Sequence, residues 1–592
     1  MIQDLGSLPD MPACTGTAIS QSGNVAGYCS VAGGSVFLET PTHGFLYSKG
    51  TLTDIKTSSK PTVPTGVNDS GSVVGAYVNI NLAKGIAVSP FLFQNGAIQP
   101  FAGAPNNAAP FGLTNAGQSA ATQILEGGYN FFAASEAFLI TGQGNATPLV
   151  AMQSGQSTAF GISPSGDWVA GAFASIIAKQ LASLKAGLWH AGVFQALPLA
   201  SNFNYASATA VNDAGTAAGI AFTFDFAALQ DPHAAMHAVI FSNGGVTDLG
   251  TLSADRNSAA AAINNSGTVV GFSTTQTPDI TLFEAPVLET ASALSKAIVY
   301  TNGTMYDLNR LLINGSGWQL NSATGINDAG QIVGTGTINQ QQHAFLLTPI
   351  VLPQISAVVG GGLHTPPVNA ISDDALFTIF GTGFTDPSVM RNVTGSDLTN
   401  NALPTNLANV CVQGGNAEWG IIYVSATQIN AVAHPLTTSG NVPITVVTNC
   451  GQPNALSTAA FNVAAAAETP QFFFGLANDI AVNQASDGAP VTSDHPAHAG
   501  DILTAYGTGW GTTMPAAVVG SLAAGAADIT GKYTLTIGDK TADVSYAGLS
   551  PTYAGLYQIN FTVPAGLTAG DQPIVLTING VPTPTGAMIP VQ

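Results

Sequence analysis

Few residues of this 592-residue chain have types and spacing suited to chemistry. Asp373 and Asp374 are adjacent acids, whereas hydrolytic carboxylate pairs stand about 5–9.5 Å apart across a bond. Because neighbours on a strand face opposite ways, we interpret this pair as turn residues. His495-Pro-Ala-His498 is a weak metal candidate in a proline-rich loop. The sequence contains no nucleophile elbow, phosphate loop or His-Glu-x-x-His motif, so we predict no catalytic residue and lean towards a non-enzyme.

Acids in two long insertions are better candidates for a binding site. The insertions run from Ile220 to Met236 and from Phe272 to Ser295, and insertions in repeated β folds often carry binding on one face. Neutral loop growth is the alternative. Calcium is a possible ligand of acid-bearing loops, although the regular calcium-loop pattern is absent, and we predict no other cofactor. The candidate binding acids are Asp225, Asp231, Glu284 and Glu289.

The tryptophans divide into core and contact candidates. Trp189 and Trp510 replace ordinary hydrophobic residues in their repeats, so we expect them in the core. Trp419 follows Glu418 and lacks an alternating apolar partner. We therefore expect Trp419 to be an exposed contact for a ligand such as a sugar.

The composition restricts the class of partner. Only 7% of residues are charged and 46% are hydrophobic, whereas an average globular protein has about 25% charged residues. The net charge is −20, and the absence of a basic patch argues against nucleic acid as a partner. No apolar run reaches the ~18 residues of a membrane helix, so we predict no membrane-spanning segment. Sparse charge also lets copies of the chain pack closely.

Four cysteines indicate the compartment. Local pairing predicts the disulfides Cys14–Cys29 and Cys411–Cys450 and an oxidising environment, with buried free thiols as the alternative. The strand pattern begins at Ile2, and no signal peptide is visible. We expect an exported protein at the cell surface or outside the cell, numbered from a mature or engineered start. A cytoplasmic protein is the alternative.

A short turn organises the first 350 residues. It is rich in Asn, Asp and Gly, which tolerate the backbone angles of hairpin turns, and it is flanked by β-branched residues. Its period of about 50 residues is typical of a propeller or solenoid. The turn occurs at 21–23, 68–71, 114–117, 163–166, 212–215, 264–267 and 327–330.

Each repeat continues with two further strand patterns, such as His237–Ser242 followed by Val246–Leu249. Four short strands per repeat predict a propeller blade. The seventh repeat lacks its fourth strand, and Ile2–Gly6 matches Val246–Gly250. We therefore predict that the N-terminal segment closes the ring, which also covers an exposed strand edge.

These repeats resemble the extracellular HAF-repeat family, whose His-Ala-Phe stands intact at His343–Phe345. The resemblance covers roughly residues 2–349. It implies export and a β-rich repeat, and it provides no catalytic residues to transfer.

Two related units follow the repeats. Phe377–Phe384 matches Leu503–Trp510, and the Gln-Ile-Asn at 428–430 matches that at 558–560. Short alternating strands with Gly, Pro and Asn turns predict immunoglobulin-like sandwiches. The Gly-Thr-Gly-aromatic element resembles the TIG/IPT immunoglobulin-like family. Residues 470–592 resemble a C-terminal domain common in acidobacterial secreted proteins, which implies a bacterial extracellular setting.

The sequence thus predicts an all-β protein with three domains. Residues 1–350 form a seven-bladed β-propeller closed by the N-terminal strand. Residues 351–467 form an immunoglobulin-like, TIG/IPT-like domain, and residues 468–592 form a second immunoglobulin-like domain.

Our leading hypothesis is a non-enzymatic, exported bacterial surface or extracellular-matrix protein. It would serve adhesion, ligand binding or self-assembly, including assembly into a filament or lattice. Its expected partners are other copies of itself, an extracellular polysaccharide or another surface ligand. The alternative is an extracellular glycan-active enzyme or carbohydrate-binding protein that uses the propeller loops.

Overall fold

The computed structural model describes residues 1–31, 42–57, 60–81, 85–124, 135–142, 144–150, 156–177, 180–223, 235–276, 294–313, 315, 317–436, 440–452, 454–475, 479–518 and 520–592. In these residues the regular structure is β-strand, apart from the 3-10 helices Leu308–Leu311 and Gly395–Asp397. The chain divides into two compact units, Met1–Ile350 and Val351–Gln592. No helix in this part of the chain is long and apolar enough to cross a membrane.

The first unit contains seven antiparallel sheets of four strands each within the described residues. Six of them use four consecutive strands. These strands are β2 (Ala13–Ile19), β3 (Val25–Ser30), β4 (Thr42–Ser48), β5 (Thr51–Ile55); β6 (Thr62–Val67), β7 (Val73–Asn81), β8 (Gly85–Gln94), β9 (Ala97–Pro100); β10 (Ala108–Phe111), β11 (Ser119–Ile124), β12 (Ser135–Ile140), β13 (Ala146–Pro148); β14 (Gln156–Ile162), β15 (Trp168–Ile177), β16 (Gln180–His190), β17 (Val193–Ala196); β18 (Tyr205–Val211), β19 (Ala217–Thr223), β20 (Ala235–Ser242), β21 (Gly245–Asp248); and β22 (Asn257–Ile263), β23 (Val269–Thr274), β24 (Ser295–Thr301), β25 (Thr304–Asp307).

The seventh sheet combines the two ends of the first unit. Its strands are β26 (Trp318–Ile326), β27 (Ile332–Ile338), β28 (Gln341–Leu347) and β1 (Ile2–Asp4). As the sequence predicts, β1 is the fourth strand and pairs with β28, with Ile2 opposite Leu347. A buried cluster that includes Cys14, Phe45, Val333 and Leu346 packs the first sheet against the seventh. The first and seventh sheets are therefore neighbours.

The repeated turn joins the first and second strands of each sheet. In the last sheet the N–H of Gly330 donates to the carbonyl of Asn327 at 3.0 Å. Gly330 has φ +73°, in the left-handed region that glycine adopts without steric cost. The β-branched residues on either side extend the chain into β26 and β27, so the turn determines where each strand ends.

The second unit contains three sheets of eleven, seven and five strands in the described residues. The path of the largest sheet is β29-β31-β36-β35-β34-β37-β39-β30, and β32, β33 and β38 pair beside it. Its strands are β29 (Gln354–Gly360), β30 (Ala370–Ile371), β31 (Ala375–Thr382), β32 (Met390–Asn392), β33 (Asn406–Leu407), β34 (Val410–Gly414), β35 (Ala417–Ser425), β36 (Gln428–Ala433), β37 (Asn441–Thr448), β38 (Leu456–Ser457) and β39 (Phe461–Ala465).

The two smaller sheets use the remaining strands. Their main paths are β40-β42-β48-β47-β44-β43 and β46-β45-β49-β50, with β41 and β51 beside them. The strands are β40 (Gln471–Phe472), β41 (Val482–Gln484), β42 (Ile502–Thr508), β43 (Thr513–Met514), β44 (Ala527–Ile529), β45 (Tyr533–Ile537), β46 (Lys540–Thr541), β47 (Asp543–Leu549), β48 (Tyr557–Thr562), β49 (Gly570–Ile578), β50 (Val581–Pro582) and β51 (Met588–Val591).

The two halves of this unit repeat one strand pair. β31 pairs with β36 as β42 pairs with β48, and both pairs are antiparallel. A threonine-to-asparagine hydrogen bond recurs between the matched strands, from Thr378 to Asn430 at 3.2 Å and from Thr504 to Asn560 at 3.0 Å. The sequence match between the halves thus corresponds to matching hydrogen bonds.

The halves also touch each other. The N–H of Leu403 donates to the carbonyl of Gly520 at 2.7 Å. Leu403 and Val432 of one half share a buried cluster with Ala554 of the other. Residues 351–592 form one compact unit, so the division at 467/468 stays a prediction.

Both predicted disulfides are confirmed. Cys14 on β2 lies directly opposite Cys29 on β3 and is bonded to it. Cys411 on β34 is bonded to Cys450, which follows β37, the strand that pairs with β34. The first bridge therefore joins two paired strands, and the second joins a strand to the segment after its neighbour.

Candidate functional site

Side-chain hydrogen bonds join the repeated turns of the first unit to one another. The N–H of Asp213 donates to Asn265 Oδ1 at 2.9 Å, and Asn265 Nδ2 donates back to Asp213 Oδ2 at 2.8 Å. Asn265 Nδ2 also reaches Asp328 Oδ2 at 2.8 Å, and the N–H of Asp328 donates to Gln21 Oε1 at 2.9 Å. We call these seven turns the turn ring. Their acids therefore connect neighbouring sheets.

Buried asparagines form a second layer of the turn ring. Asn212 Nδ2 donates to the carbonyl of Asn264 at 3.1 Å, and Asn264 Nδ2 donates to the carbonyl of Asn327 at 3.1 Å. Asn327 Nδ2 in turn donates to the carbonyl of Ser20 at 3.1 Å, which links the last turn to the first. These amides satisfy backbone groups that would otherwise be buried without partners.

The hydrogen bonds of the turn ring favour the charged form of Asp69 and Asp213. Burial alone raises the pKa of Asp213, but donors from Ser165 and Asn265 outweigh it, and the pKa falls below its ordinary value. At Asp69, burial is similarly outweighed by donors from Asn115 and Ser22, so this pKa is also lowered. A cavity of about 200 Å³ lies beside the turn ring, lined by residues from all seven sheets and by turn residues of the first four.

Three histidines of the first unit share a second repeated arrangement. Each lies on the third strand of its sheet and faces an aspartate on the fourth strand. In the seventh sheet that aspartate comes from β1, so the closing segment supplies the same partner as an ordinary fourth strand. The repeat pattern alone does not reveal these partners. The pairs are His43–Asp54 (3.2 Å), His237–Asp248 (2.9 Å) and His343–Asp4 (2.9 Å).

The second unit holds a different group, made of Asp373, Asp374 and His434. The two aspartates form the turn before β31, and His434 directly follows β36. Because β31 and β36 pair with Ala375 opposite Ala433, the residues just beyond this pair meet. His434 Nδ1 lies 2.9 Å from Asp373 Oδ1 and 3.3 Å from Asp374 Oδ1. We call this group the Asp–His cluster; one ligand atom from each residue lies within 4.8 Å of the others.

Burial changes the pKa of the Asp–His cluster's Asp374. The His434 side chain is only 13% exposed. Its Nδ1 atom is shielded from solvent. Although the carboxylate oxygens lie close to it, Nδ1 has no aligned hydrogen bond among the described residues. Burial raises the pKa of Asp374 to about 6, His434 opposes this rise, and Asp373 adds to it. Burial also raises the pKa of nearby Tyr557, with smaller contributions from the two aspartates.

The other half of the second unit has the same turn without these side chains. The N–H of Asp374 donates to the carbonyl of Ala433 at 2.8 Å, as the N–H of Gly500 donates to that of Val563 at 2.9 Å. Asp374 and Gly500 both have positive φ, +55° and +90°. The residue after Val563 is Pro564, where the first half has His434. The cluster is therefore an addition to a shared backbone.

Trp419 corrects one prediction from sequence. It is fully buried on β35, opposite Val412, and its ring packs against Phe377 at a centroid distance of 5.4 Å. Glu418 beside it is exposed, because successive strand residues face opposite ways. The expectation of an exposed contact was wrong, since Trp419 takes the inward position.

The four predicted binding acids cannot be placed in the described part of the chain. Asp225 and Asp231 lie in 224–234, and Glu284 and Glu289 lie in 277–293, outside the described residues. His498 lies beside Asp501 at 3.7 Å and stays exposed. The interpretation of Asp373–Asp374 as turn residues was correct, but it missed His434. Aligning the two halves would have shown the acid and the imidazole as departures from glycine and proline.

No family model matches this chain, and no curated protein sequence matches it. Among solved structures, the β-propeller domain of the Trilobed protease from Pyrococcus furiosus is similar at 9% identity, covering 55% of this chain and 91% of that one, with a TM-score of 0.30. Pyrococcus horikoshii acylaminoacyl peptidase is similar at 11% identity, covering 65% and 60%, with a TM-score of 0.37. The polysaccharide lyase Uly1 is similar at 8% identity, covering 58% and 92%, with a TM-score of 0.34. Likenesses this weak say nothing of the activity of this chain.

Proposed function

We propose that this chain is a non-enzymatic, exported bacterial surface or extracellular-matrix protein whose first unit is a rigid binding frame. In this proposal residues 1–350 are a seven-bladed propeller of HAF-like repeats closed by the N-terminal strand. Residues 351–467 and 468–592 are two immunoglobulin-like domains of the TIG/IPT kind. The protein acts by adhesion, ligand binding or self-assembly, with an extracellular polysaccharide, another surface ligand or further copies as partner.

The turn ring is the observation that carries this proposal. Hydrogen bonds join the fourth turn through the fifth and sixth to the seventh, Asn327 joins the seventh to Ser20 beside the first, and further bonds join the first turn to the second and the second to the third. Such a frame loses little conformational freedom when a ligand binds, which favours affinity from preorganised surfaces. Loops on a rigid scaffold are the usual place for binding residues.

The disulfides support export. Cys14–Cys29 and Cys411–Cys450 are both formed, and disulfides persist in oxidising compartments. Sparse charge, with 12 basic residues in 592, fits an extracellular surface that is not held apart by strong repulsion.

The sheet edges of the second unit favour binding over edge-to-edge assembly. In the described residues, the main path of every sheet ends in a two-residue strand except at β29. β29 has seven residues but carries a bulge between Ile355 and Ala357. Short and bulged edges disfavour pairing with another chain. Assembly would therefore use side-chain surfaces.

Two measurements on the purified full chain test the proposal. Light scattering across concentration separates a monomer from an assembling protein, and a glycan array with immobilised polysaccharides measures ligand binding. We expect saturable binding of a polysaccharide or concentration-dependent association. A protein that stays monomeric and binds none of these surfaces would contradict the proposal, as would turnover of a polysaccharide.

One observation keeps the glycan-active alternative testable. The strands on either side of the two acid-bearing insertions, β19 and β20 and then β23 and β24, meet at the sheet edge opposite the turn ring. Reducing-sugar assays with the double variant Asp231→Asn, Glu284→Gln decide: activity lost in this variant supports an enzyme.

A further inference from the structure

The Asp–His cluster has the composition of a metal site. It offers two carboxylate oxygens and one imidazole nitrogen, all close to one another. Zinc accepts this mixture of oxygen and nitrogen ligands, whereas calcium and magnesium take oxygen ligands. We propose that Asp373, Asp374 and His434 bind one divalent transition-metal ion, with Zn²⁺ as the best fit, through Nδ1 of His434 and one oxygen of each aspartate.

The spacing of the ligand atoms fits such an ion. Ligands about 2.0–2.2 Å from zinc in tetrahedral geometry stand roughly 3.3–3.6 Å from one another. His434 Nδ1 lies 2.9 Å from Asp373 Oδ1 and 3.3 Å from Asp374 Oδ1. Small rotations of the side chains therefore bring all three atoms onto a single ion.

The imidazole supplies an observation independent of the acids. His434 Nδ1 is shielded from solvent and, among the residues that the structure describes, has no properly aligned hydrogen bond, although carboxylate oxygens lie within reach. A buried polar atom without a partner is costly, and native proteins rarely leave one. A nitrogen lone pair pointed at a shared metal ion satisfies this atom. The same ion neutralises the two carboxylates, of which Asp373 also accepts a bond from the N–H of Leu436 at 2.9 Å.

The position of the cluster gives the ion a role. Asp374 lines a cavity of about 20 Å³ together with Gly520, Tyr553 and Gly555 of the other half. The bound ion would join the turn before β31 to the segment after β36, directly beside the contact between the halves. We therefore expect the ion to stabilise residues 351–592 as a structural cross-link, in the way that metals stabilise folds when they bind only the native state.

The test is a metal titration of the full chain after treatment with a chelator. Isothermal calorimetry with Zn²⁺ should show one saturable site, and Ca²⁺ or Mg²⁺ should bind at least tenfold more weakly. Co²⁺ should give visible absorption bands characteristic of coordination that includes a nitrogen ligand. His434→Ala and Asp374→Asn should each abolish both signals. The matched control His498→Ala removes an exposed histidine and should leave them unchanged.

A stability measurement accompanies the titration. Zn²⁺ should raise the unfolding midpoint of the wild-type chain by several degrees and should leave that of Asp374→Asn unchanged. Asp373→Asn keeps an oxygen that accepts from the N–H of Leu436, so it replaces His434→Ala in the test if that variant fails to fold. The proposal is overturned if the folded wild-type chain binds no Zn²⁺ or Co²⁺ at one site. It is equally overturned if folded Asp374→Asn and Asp373→Asn bind these ions as well as wild type does. The Asp–His cluster would then be only an ion pair between histidine and aspartate.

Discussion

The turn ring and the Asp–His cluster place the same residue type, aspartate, in opposite surroundings. Asp213 accepts hydrogen bonds from Ser165 and Asn265, and its pKa is lowered. Asp374 is more deeply buried, has a second acid beside it, and its pKa is raised to about 6. Supplied donors make a carboxylate part of the scaffold, whereas burial without donors leaves it ready for a ligand. The repeated aspartates, whose oxygens are hydrogen-bonded, are structural. The Asp–His cluster occurs once among the described residues and holds a buried nitrogen without an aligned hydrogen bond, which is why it is the candidate site.

The largest effect should come from the asparagine layer of the turn ring. Asn212 is 2% exposed, accepts from the N–H groups of Ala214 and Thr216, and donates to Asn264. Asn212→Ala leaves these groups without partners, so we expect a loss of roughly 2–4 kcal/mol in unfolding free energy.

Calorimetric unfolding measures this loss, with Gln195→Ala on the exposed outer strand β17 as control. A change no larger than that of the control would mean that the turn ring contributes little to stability.

The pH dependence should differ between the two regions. The lowered pKa values of Asp69 and Asp213 contribute stability above the unfolded pKa of ~3.9, and it is lost as pH falls through the folded values. The raised pKa of Asp374 works the other way: its contribution is complete below ~3.9 and is lost as pH rises through about 6, by roughly 3 kcal/mol. His434 and Asp373 face this group.

Unfolding of the metal-free chain between pH 3 and 7 tests both signs. Asp374→Asn should remove the decline between pH 4 and 6 while keeping the acid-side decline. A decline that survives this substitution would contradict the assignment to Asp374.

Neutralising one acid in each region should change stability in opposite directions at neutral pH without metal. Asp213→Asn replaces an acceptor with a donor opposite Asn265 Nδ2, so we expect a loss of about 1 kcal/mol. Asp374→Asn removes a buried charge beside Asp373 and tolerates the left-handed backbone, so we expect a gain of about 1 kcal/mol. Equal signs in chemical denaturation would remove the distinction between the regions.

The smallest effect should come from the repeated histidine–aspartate pairs. The His237 side chain is 26% exposed and lies 2.9 Å from Asp248. Exposed pairs contribute about 0–1 kcal/mol, so His237→Ala should lower stability by less than 1 kcal/mol. Calorimetry with Zn²⁺ should give an unchanged binding curve for this variant. Loss of zinc binding would move the site from the second unit to the first.

Local patterns in the sequence predicted the scaffold well. Ile2–Gly6 repeats Val246–Gly250, and this match is enough to place β1 beside β28. Cysteines close in sequence lie on adjoining strands, so their pairing followed from proximity. Periodic turns carry this information because every copy has the same neighbours.

The Asp–His cluster could not be predicted from such local patterns. Asp374 and His434 are brought together by the register of β31 against β36, which no short-range pattern reveals. Trp419 was misjudged because its inward direction depends on the phase of β35, and Glu418 beside it suggested exposure. Pairing register and strand phase are tertiary properties, since both depend on which face meets the core.

The position of β1 in the seventh sheet imposes an order on folding. Met1 bonds to Thr348, 347 residues away, so a chain made from its N-terminus must wait for nearly the whole first unit before β1 finds its partner. Contacts this distant in sequence are slow to form. Until then β28 presents an unpaired edge beside finished sheets, which is the stage at which a neighbouring chain competes best for that place. The last bond to form in the first unit is thus the one that involves its first residues.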